Sequence, residues 1–372
     1  MEEPTPILLF SRTLGIGGCE RDLTKIALGL DRGDYVAHVG CFYEGGCRAV
    51  ELEAAGIPVT CFPVRSLTSL ATLAQAARLM RYFHRYKIQL VHTFDAPTNI
   101  FVAPVARAAR LGGVISSNLW YRDMLDRRAL HLSRIMDHVV DRMVVNSVAV
   151  QNDLIEHERV SRGVTYLCYN GVDTGIFHSQ DRSRLSIVER ASVVIGTVCA
   201  LRPEKRIDLL LDAYARIPSR GPDWRLLIVG SGPTLPSLRE RARALGIEAE
   251  TVFHPAQQDV AQVFRCIDIF VIPSSSESFP NALLEAMACG CCVIGSRVGG
   301  IPEAIIEGQN GLMFTPGSAE DLRHALSMAI CNIPMRRRLS SNAARDARAR
   351  FSMRTAMERI QELYDSLRCP EQ

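Results

Sequence analysis

Apolar positions along the chain recur in two alternating patterns. Runs of about four to eight apolar residues are typical of buried β-strands, and longer stretches with apolar residues three and four apart are typical of helices. In the first half, strands are predicted at residues 7–12, 35–42, 57–62, 88–94, 113–118 and 142–147, and helices at 19–30, 67–85 and 98–110. This alternation predicts a parallel sheet that helices cover on both faces.

The same alternation begins again after a polar stretch at residues 178–190. Strands are predicted at 191–201, 224–230, 251–255, 268–273 and 291–296, and helices at 207–217, 234–245, 259–265, 280–289 and 319–331. One further helical pattern covers residues 340–367. The chain is therefore predicted to be an α/β protein with two doubly wound domains that meet near residue 180. In such folds ligands bind at the carboxyl ends of the strands, and we expect them in the cleft between the domains.

The composition narrows the class of protein. A chain of 372 residues has room for two cores, and its 47% apolar and 22% charged residues are close to the globular average. The formal net charge of +3 speaks against a nucleic-acid-binding protein, so no nucleic acid is expected among the partners. No apolar run approaches the roughly 20 residues of a membrane span, and the acidic N-terminus is unlike a secretory signal. We therefore expect a soluble, cytoplasmic protein.

Metal-binding patterns are missing from the sequence. Its 12 cysteines are dispersed through apolar runs, which favours buried, reduced thiols. Cys289 and Cys292 form a C-x-x-C pair, but no second pair accompanies it. The chain also contains no Asp-x-Asp pair to supply oxygen ligands to a divalent cation. We therefore expect no metal ion and no cofactor.

The densest chemical signal is the segment PSSSESFPNALLEAMACG at residues 273–290. A predicted strand ends at Pro273, and Pro280 suits the first turn of the next helix, whose free N–H groups can bind an anion. Glu277 lies just before this helix and Glu285 about a turn and a half inside it. Two carboxylates around an anion site suit a ligand with hydroxyl groups at both ends, such as a sugar, a diphosphate and a ribose in line. For either glutamate alone, a helix cap or a solvated side chain is the alternative.

A second signal is the group of basic residues in CALRPEKRIDLLLDAY at residues 199–214. Arg202, Lys205 and Arg206 follow a predicted strand, where side chains can enter the ligand site and neutralise a diphosphate. The chain contains 40 arginines and only three lysines, so the lysine at 205 hints at a need for a compact ammonium group. A solvated first helical turn is the alternative.

A glycine-rich turn follows the first predicted strand and contains Gly15, Gly17 and Gly18. The turn lacks the spacing G-x-G-x-x-G, and no acidic residue ends the second strand, so a dinucleotide-binding site is not indicated. The glycines do allow the backbone to approach a ligand closely at the start of a helix.

These segments together resemble the retaining glycosyltransferases of family 4, also called group 1, which have the GT-B fold. The second half carries the more specific matches, which are LRPEK at 201–205, LLIVGSGP at 226–233, DIFVIPSSSESFPNALLEAMACG at 268–290, VGGIPE at 298–303 and NGLMF at 310–314. Glu277 and Glu285 fit the Glu-x7-Glu element of that family. The first half matches more loosely, at residues 14–30, 90–111, 144–147 and 169–177.

The resemblance implies two Rossmann-like domains that face each other across a cleft, with the last helix crossing back to the first domain. We expect an N-terminal, acceptor-side domain at residues 1–178, a nucleotide-sugar-binding domain at 179–345 and the returning helix at 346–372. The resemblance also implies a nucleotide-sugar donor and retention of the anomeric configuration.

The resemblance further assigns roles to individual residues by their position. Lys205 would hold the donor diphosphate, Glu285 the ribose hydroxyls and Glu277 the transferred sugar. Further residues would contribute backbone contacts or line the cleft: Phe279, Pro280 and Asn281 at the donor phosphates, and Gly17 and Gly18 from the first domain.

Two of the departures from the family pattern affect candidate site residues. Residues 199–201 read Cys-Ala-Leu where Gly-Arg-Leu is common, so Arg202 is expected to supply the missing charge. Residues 92–94 read His-Thr-Phe where His-x-His is common, which leaves His92 as the candidate for the reaction-centre histidine.

The sequence therefore predicts a retaining glycosyltransferase that moves a sugar from a nucleotide sugar to a glycan or a lipid-linked glycan without a metal ion. UDP is the expected nucleotide of the donor, because it is the commonest one in the family that this chain resembles. Two alternatives stay open. One is a nucleotide-sugar epimerase with the same two-domain fold. The other is a non-catalytic subunit that binds a sugar nucleotide, which is favoured by Ala200 and Phe94 at positions where the family commonly has arginine and histidine.

A basic strip in the first half predicts one more partner. Residues 54–94 contain no Asp or Glu, and Arg78, Arg81 and Arg85 share one helical face. Apolar and aromatic residues flank these arginines: Leu79, Tyr82, Phe83 and Tyr86. Such a strip attracts anionic lipid at about 1 kcal/mol per basic residue, while a solvated helix face is the alternative. We therefore expect contact with an anionic membrane surface and a peripheral location at the inner face of the cell membrane.

Overall fold

Two β-sheets, each built of parallel strands, carry the fold. The computed structural model describes residues 3–15, 17–67, 69–122, 125–180, 182–218, 220–257 and 259–368. The strands of the first sheet are β1 (Thr5–Ser11), β2 (Tyr35–Cys41), β3 (Val59–Cys61), β4 (Leu90–Thr93), β5 (Gly113–Ser117), β6 (Arg142–Val145) and β7 (Thr165–Leu167). Those of the second sheet are β8 (Val193–Val198), β9 (Trp224–Val229), β10 (Thr251–His254), β11 (Ile269–Ile272), β12 (Cys292–Ser296) and β13 (Gly311–Phe314).

Helices alternate with these strands. Those of the first half are α1 (Gly18–Gly29), α2 (Cys47–Ala54), α3 (Leu70–Arg85), α4 (Ala96–Ala108), α5 (Arg127–Met136) and α6 (Val148–Glu156). Those of the second half are α7 (Ile207–Ala215), α8 (Leu235–Ala244), α9 (Ala261–Cys266), α10 (Asn281–Ala288), α11 (Ile301–Ala304), α12 (Ala319–Cys331), α13 (Ile333–Arg350) and α14 (Met353–Arg368). None of the helices in the described ranges is both long enough and apolar enough to cross a membrane.

The strand order of each sheet reverses once. The orders are β3-β2-β1-β4-β5-β6-β7 and β10-β9-β8-β11-β12-β13. Phe10 of β1 lies opposite Thr93 of β4, and Ile195 of β8 lies opposite Ile269 of β11. This arrangement confirms the predicted doubly wound class. Ligands of such sheets bind at the carboxyl ends of the two strands where the order reverses, and we call these places the β1/β4 and β8/β11 switch points.

Each sheet has its own hydrophobic core, because helices cover the apolar faces of its strands. In the first sheet, Leu8 and Val91 pack with Phe83 of α3 and Val102 of α4. In the second, the central strands and the helices α7 and α12 share one cluster that includes Ile195, Ile228, Ile269, Leu210 and Leu326. The long apolar runs that predicted the strands are thus explained by burial on both faces.

The chain divides into two compact units. One unit runs to Tyr169 and takes up the chain again from Ala356, and the other spans Asn170–Thr355. From the sequence, the domain boundaries are expected between residues 178 and 179 and between residues 345 and 346. The expected last segment, 346–372, ends outside the described residues. Residues just after 170 belong to the second unit because Val172 exchanges backbone hydrogen bonds with Phe351 and Met353.

The C-terminal stretch forms two helices where the sequence predicted one. Helix α13 ends at Arg350 and α14 begins at Met353. Between them, the carbonyl of Phe351 accepts from the N–H of Val172 at 2.8 Å, and the N–H of Met353 donates to the carbonyl of Val172 at 2.8 Å. The backbone at 351–353 therefore pairs with a distant segment, which breaks the helical ladder. From Ala356 onward, α14 packs within the first unit.

Candidate active site

The β8/β11 switch point is formed by two loops. One loop follows β8 and includes a short 3-10 turn at Pro203–Lys205, and the other runs from Pro273 to Pro280 between β11 and α10. The backbone N–H of Ser275 donates to the carbonyl of Glu204 at 2.8 Å, and its hydroxyl donates to the same oxygen at 3.2 Å. These hydrogen bonds hold the two loops side by side.

An ion pair joins the same loops through their side chains. Lys205 Nζ lies 2.6 Å from Glu277 Oε1, with 23% of the lysine side chain and 9% of the glutamate side chain exposed. The hydroxyl of Ser274 donates to the same Oε1 at 2.7 Å, and the carbonyl of Ser274 accepts from Ser296 at 2.6 Å. Glu277 is thus fixed from the buried side by Ser274, while the lysine keeps some exposure to solvent.

The other two basic residues of the first loop differ in whether a carboxylate pairs with them. Arg206 has the left-handed backbone conformation, with φ 48°, and pairs with Asp208 at 3.0 Å. The hydrogen bond with the Asp208 carboxylate raises the pKa of Arg206, and the same carboxylate pairs with the charge of the guanidinium group. Arg202 is exposed, and among the described residues no side chain forms an ion pair with it. Of the predicted group, Lys205 and Arg202 remain as the cations that a ligand can reach.

Two glycines after β9 let a third loop lie directly against the loop that follows β8. A Cβ atom on Gly230 would lie 1.9 Å from the carbonyl oxygen of Cys199, and one on Gly232 would lie 2.2 Å from that of Leu201. Gly230 also has φ +155°. The Gly-Ser-Gly sequence at 230–232 was visible in the chain, but its role depends on the neighbouring loop, which the sequence alone did not indicate.

The start of α10 has the features of an anion site. Pro280 stands at the N-cap and offers no side-chain hydrogen bond to the first turn, which begins at Asn281. The ring of Phe279 is 2% exposed and packs 5.4 Å from the ring of Phe351, and its carbonyl accepts from Asn170 Nδ2 at 2.8 Å. The loop is therefore held in place while the first-turn N–H groups face no capping side chain.

Glu285 lies in the second turn of α10 and is only 3% exposed. Its predicted contact with a ribose therefore involves a largely buried carboxylate and stays a prediction. The described residues hold no group of three or more His, Cys, Asp or Glu side chains arranged to bind a metal ion.

His92 lies in the interior of the first unit and is 0% exposed. Its Nδ1 is 2.7 Å from the hydroxyl of Tyr364, and its Nε2 is 2.8 Å from that of Ser117. The ring stacks on Phe94 at 4.3 Å, and burial lowers the pKa of His92 to about 3. Both ring nitrogens are therefore engaged within the first unit, and the expected part of His92 in the reaction stays a prediction.

The glycine turn at the β1/β4 switch point leads into α1. Gly17 is the N-cap residue, and a Cβ atom there would lie 2.1 Å from Glu20 Oε2. Glu20 also accepts a hydrogen bond from the hydroxyl of Thr13. Gly18 has no heavy atom within 4 Å of its added Cβ, and Ile16 in the same turn lies outside the described residues. A side chain at Gly17 would displace only the flexible end of Glu20, and Gly18 leaves open space beside the backbone.

Only some side chains of the predicted basic strip on α3 are exposed. Leu79 and Phe83 are buried, and the hydroxyl of Tyr82 lies 2.8 Å from His38 Nδ1. Arg78 donates to the carbonyl of Cys61 at 2.9 Å. The outward face consists instead of exposed apolar residues followed by exposed basic ones: Leu70 (85%), Leu73 (67%), Arg81, His84 and Arg85.

Comparison with known families accounts for most of the chain. Residues 16–175 match the family model described as Glycosyltransferase Family 4, and residues 181–346 match the one described as Glycosyl transferases group 1. Among curated proteins, a D-inositol 3-phosphate glycosyltransferase of Saccharomonospora viridis is 33% identical over 238 residues, or 60% of this chain and 55% of that protein. An N-acetyl-alpha-D-glucosaminyl L-malate synthase of Bacillus anthracis is 30% identical over 200 residues, or 53% and 52%.

The chain spans slightly more than half the length of these two curated relatives. Solved structures match over more of the chain. The crystal structure of Anabaena HepE in complex with UDP has a TM-score of 0.87 and 24% identity, covering 97% of this chain and 100% of HepE. HepE has also been crystallised with UDP-glucose, with a TM-score of 0.85. These likenesses show the fold, which is the GT-B fold expected from the resemblance. Since the two family models match one after the other, the chain belongs to the family 4, group 1 glycosyltransferases.

Proposed function

We propose that this chain is a retaining glycosyltransferase that moves a sugar from a UDP-sugar to a glycan or lipid-linked glycan acceptor without a metal ion. The observation that carries the proposal is the ion pair of Lys205 and Glu277, which joins the two loops of the β8/β11 switch point at 2.6 Å. A doubly wound sheet binds its ligand at this place, and the pair offers a cation for phosphate beside a carboxylate for hydroxyl groups.

In the proposed mechanism the donor diphosphate replaces Glu277 as the partner of Lys205. The bond between the sugar and the diphosphate breaks, and negative charge gathers on the departing phosphate. Lys205, Arg202 and the first-turn N–H groups of α10 stabilise this charge. Glu277, released from the lysine, accepts hydrogen bonds from hydroxyl groups of the transferred sugar.

The acceptor hydroxyl attacks the same face of the sugar that the diphosphate leaves. Its oxygen forms the new bond to the anomeric carbon, and its proton passes to an oxygen of the departing phosphate. This front-face path needs no protein nucleophile and retains the anomeric configuration. We prefer it because His92 is buried and engaged, so it is not available as a base.

The relatives support the donor more than the acceptor. HepE was crystallised with UDP and with UDP-glucose, which favours UDP as the carrier here. The names of the two curated relatives, by contrast, refer to different acceptors, inositol 3-phosphate and malate. Neither name refers to a glycan, so the proposed glycan or lipid-linked glycan acceptor rests on the resemblance to the family alone.

A panel of sugar nucleotides tests the donor. Binding to the folded state stabilises a protein by about 2.7 kcal/mol at a hundredfold excess over Kd, so a UDP-sugar should raise the melting temperature more than GDP- or ADP-sugars do. The shift should be lost in Lys205→Ala and kept in the matched variant Arg206→Ala, whose charge is already paired with Asp208. Equal shifts in both variants, or no shift with any nucleotide, would contradict the proposal.

A non-catalytic subunit that binds a sugar nucleotide is the second candidate. Two observations favour it: Ala200 is exposed where the family commonly has arginine, and His92 is buried. Such a subunit would show the thermal shift without turnover. Release of UDP from a UDP-sugar that depends on added glycan or lipid-linked acceptor separates the enzyme from the subunit.

We extend the proposal to acceptor access at the inner face of the cell membrane. The outward face of α3 presents Leu70 and Leu73 to solvent beside Arg81 and Arg85, and residues 54–94 contain no acidic side chain. Apolar residues next to basic ones suit an anionic lipid surface, because the former enter the interface and the latter contact head groups.

Vesicle sedimentation tests this contact. At low salt the wild type should sediment with phosphatidylglycerol vesicles and much less with phosphatidylcholine ones. Leu70→Ser combined with Leu73→Ser should lower the bound fraction several-fold. Val50→Ser on α2, which removes an equally exposed side chain at 67%, is the matched control and should have no effect. Equal sedimentation with both lipids would rule the contact out.

A further inference from the structure

The carboxylate of Asp95 joins both sides of the β1/β4 switch point. Asp95 follows β4 and is the N-cap residue of α4, where its Oδ1 accepts from the N–H of Thr98 at 2.9 Å. Its Oδ2 accepts from the backbone N–H of Arg12 at 2.7 Å and from the hydroxyl of Ser11 at 3.4 Å. Ser11 ends β1, and Arg12 begins the segment that leads to the glycine turn.

Capping of α4 does not account for this second oxygen. An N-cap needs one oxygen atom, so Ser, Thr or Asn would serve as well as Asp. Asp126, which caps α5, illustrates this, because a single oxygen, Oδ1, accepts from the N–H groups of both Arg128 and Ala129 at 2.9 Å. Asp126 is exposed, whereas burial raises the pKa of Asp95. A carboxylate is therefore kept in a less favourable place, where it makes a contact that a cap does not require.

The contact fixes the start of the β1–α1 segment. The carbonyl of Arg12 accepts from the N–H of Phe42 at 3.1 Å, and the carbonyl of Leu14 accepts from the N–H of Arg48 at 3.0 Å. Asp95 adds the hydrogen bond on the α4 side. The backbone that enters the turn of Gly17 and Gly18 is thus held from both neighbouring strand ends.

We propose that Asp95 is a positioning residue, whose Oδ2 holds Arg12 so that the glycine turn is in place to meet the ligand. The role of the turn in transfer rests on the proposed function, while the positioning itself does not. A ligand contact made by backbone depends on such outside supports, because glycine has no side chain with which to fix its own conformation. Displacement of such a contact by about 1 Å can lower turnover about 100-fold.

Matched serine variants separate capping from positioning. In Asp95→Ser the short side chain still caps α4 but does not reach Arg12, and Asp126→Ser makes the same exchange at a residue that only caps. Hydrogen exchange of the peptide that contains the Arg12 amide should become at least tenfold faster in Asp95→Ser and stay unchanged in Asp126→Ser. In transfer assays, Asp95→Ser should lower kcat about 10- to 100-fold with less than a threefold change in donor KM, and Asp126→Ser should change neither.

The possible outcomes test three claims separately: the positioning by Asp95, its link to the reaction and the proposed function. Equal exchange at Arg12 in both variants would overturn the positioning, since Asp95 would then only cap α4. Faster exchange with unchanged kcat would overturn the link between the turn and the reaction. Faster exchange in Asp95→Ser, together with a wild-type protein that transfers no sugar, would support the positioning and refute the proposed function instead. If Asp95→Ser does not fold, Asp95→Asn gives the same tests, because its amide provides only one oxygen for the two N–H donors.

Discussion

At the β8/β11 switch point the carboxylate of Glu277 lies 2.6 Å from the ammonium group of Lys205, whereas at the β1/β4 switch point the carboxylate of Asp95 binds backbone N–H groups. In the proposed mechanism a ligand phosphate replaces Glu277 on the lysine, because both are anions that compete for one cation. The N–H groups that Asp95 holds are part of the fold. The same kind of side chain therefore binds a side-chain cation in one unit and backbone N–H groups in the other.

His92, next to the β1/β4 switch point, also makes its contacts within the fold. His92 has two hydrogen-bonded nitrogens and no exposed surface, while Lys205 keeps 23% of its side chain in contact with solvent. Charge that must respond to a ligand lies at the second sheet, and polar groups that shape the backbone lie at the first. A variant of Lys205 should consequently fail in turnover, whereas a variant of His92 should fail in stability.

The largest expected effect is that of Lys205→Ala. Removal of one preorganised group that meets transition-state charge lowers turnover about 10²- to 10³-fold. We expect this loss in kcat, measured as UDP release from a UDP-sugar, together with a higher donor KM because the lysine also binds the diphosphate before the reaction. The melting temperature of the ligand-free protein should change little. Arg206→Ala is the control, and full activity of Lys205→Ala would show that the cation has no part in the reaction.

His92→Ala should act on stability. The substitution leaves a cavity and removes the hydrogen-bonding partners of Tyr364 and Ser117, which costs about 2–4 kcal/mol in the free energy of unfolding. Urea denaturation measures the loss, and kcat per folded molecule should stay within about threefold of the wild type. His84→Ala on the exposed face of α3 is the control. A hundredfold lower kcat with unchanged stability would return His92 to the reaction centre.

Glu285→Gln should have a smaller effect, on donor binding. If Glu285 binds the ribose hydroxyls before and during the reaction alike, its loss raises the donor KM about tenfold and leaves kcat nearly unchanged. Steady-state kinetics with varied UDP-sugar checks this. A change confined to kcat would mean that the residue serves the transition state instead.

The smallest effect is a dependence of stability on pH. Burial lowers the pKa of His92 from 6.5 to about 3, so the unfolded chain takes up this proton at a higher pH than the folded one. The stability that neutral His92 contributes is complete above pH 6.5 and is lost as the pH falls towards 3, by up to about 1.4 kcal/mol per pH unit. Between pH 7 and pH 5, the free energy of unfolding should therefore fall more in the wild type than in His92→Gln.

Local sequence patterns predicted those parts of the molecule whose causes are local. The segment 273–290 contains the strand end, the loop and the helix start within 18 residues, so its shape could be predicted from the chain. Strands β7 and β13, with three and four residues, were not predicted, although β3 and β4, which have the same lengths, were.

Features that depend on distant partners could not be predicted. The ion pair joins residues 72 positions apart, and His92 meets Tyr364 across 272 positions. The break between α13 and α14 likewise depends on Val172. A lone histidine at a strand end looks alike in the sequence whether it is buried or exposed, and the burial of His92 depends on the packing of α14 within the first unit.

Calorimetric titration of UDP tests the exchange of partners on Lys205 most directly. Glu277→Gln removes the competing anion, so UDP without a sugar should bind this variant several-fold more tightly than the wild type, although transfer by the variant is slower. Lys205→Ala should bind UDP at least tenfold more weakly. One and the same Kd in all three proteins would contradict the account, because the ion pair would then lie outside the donor site.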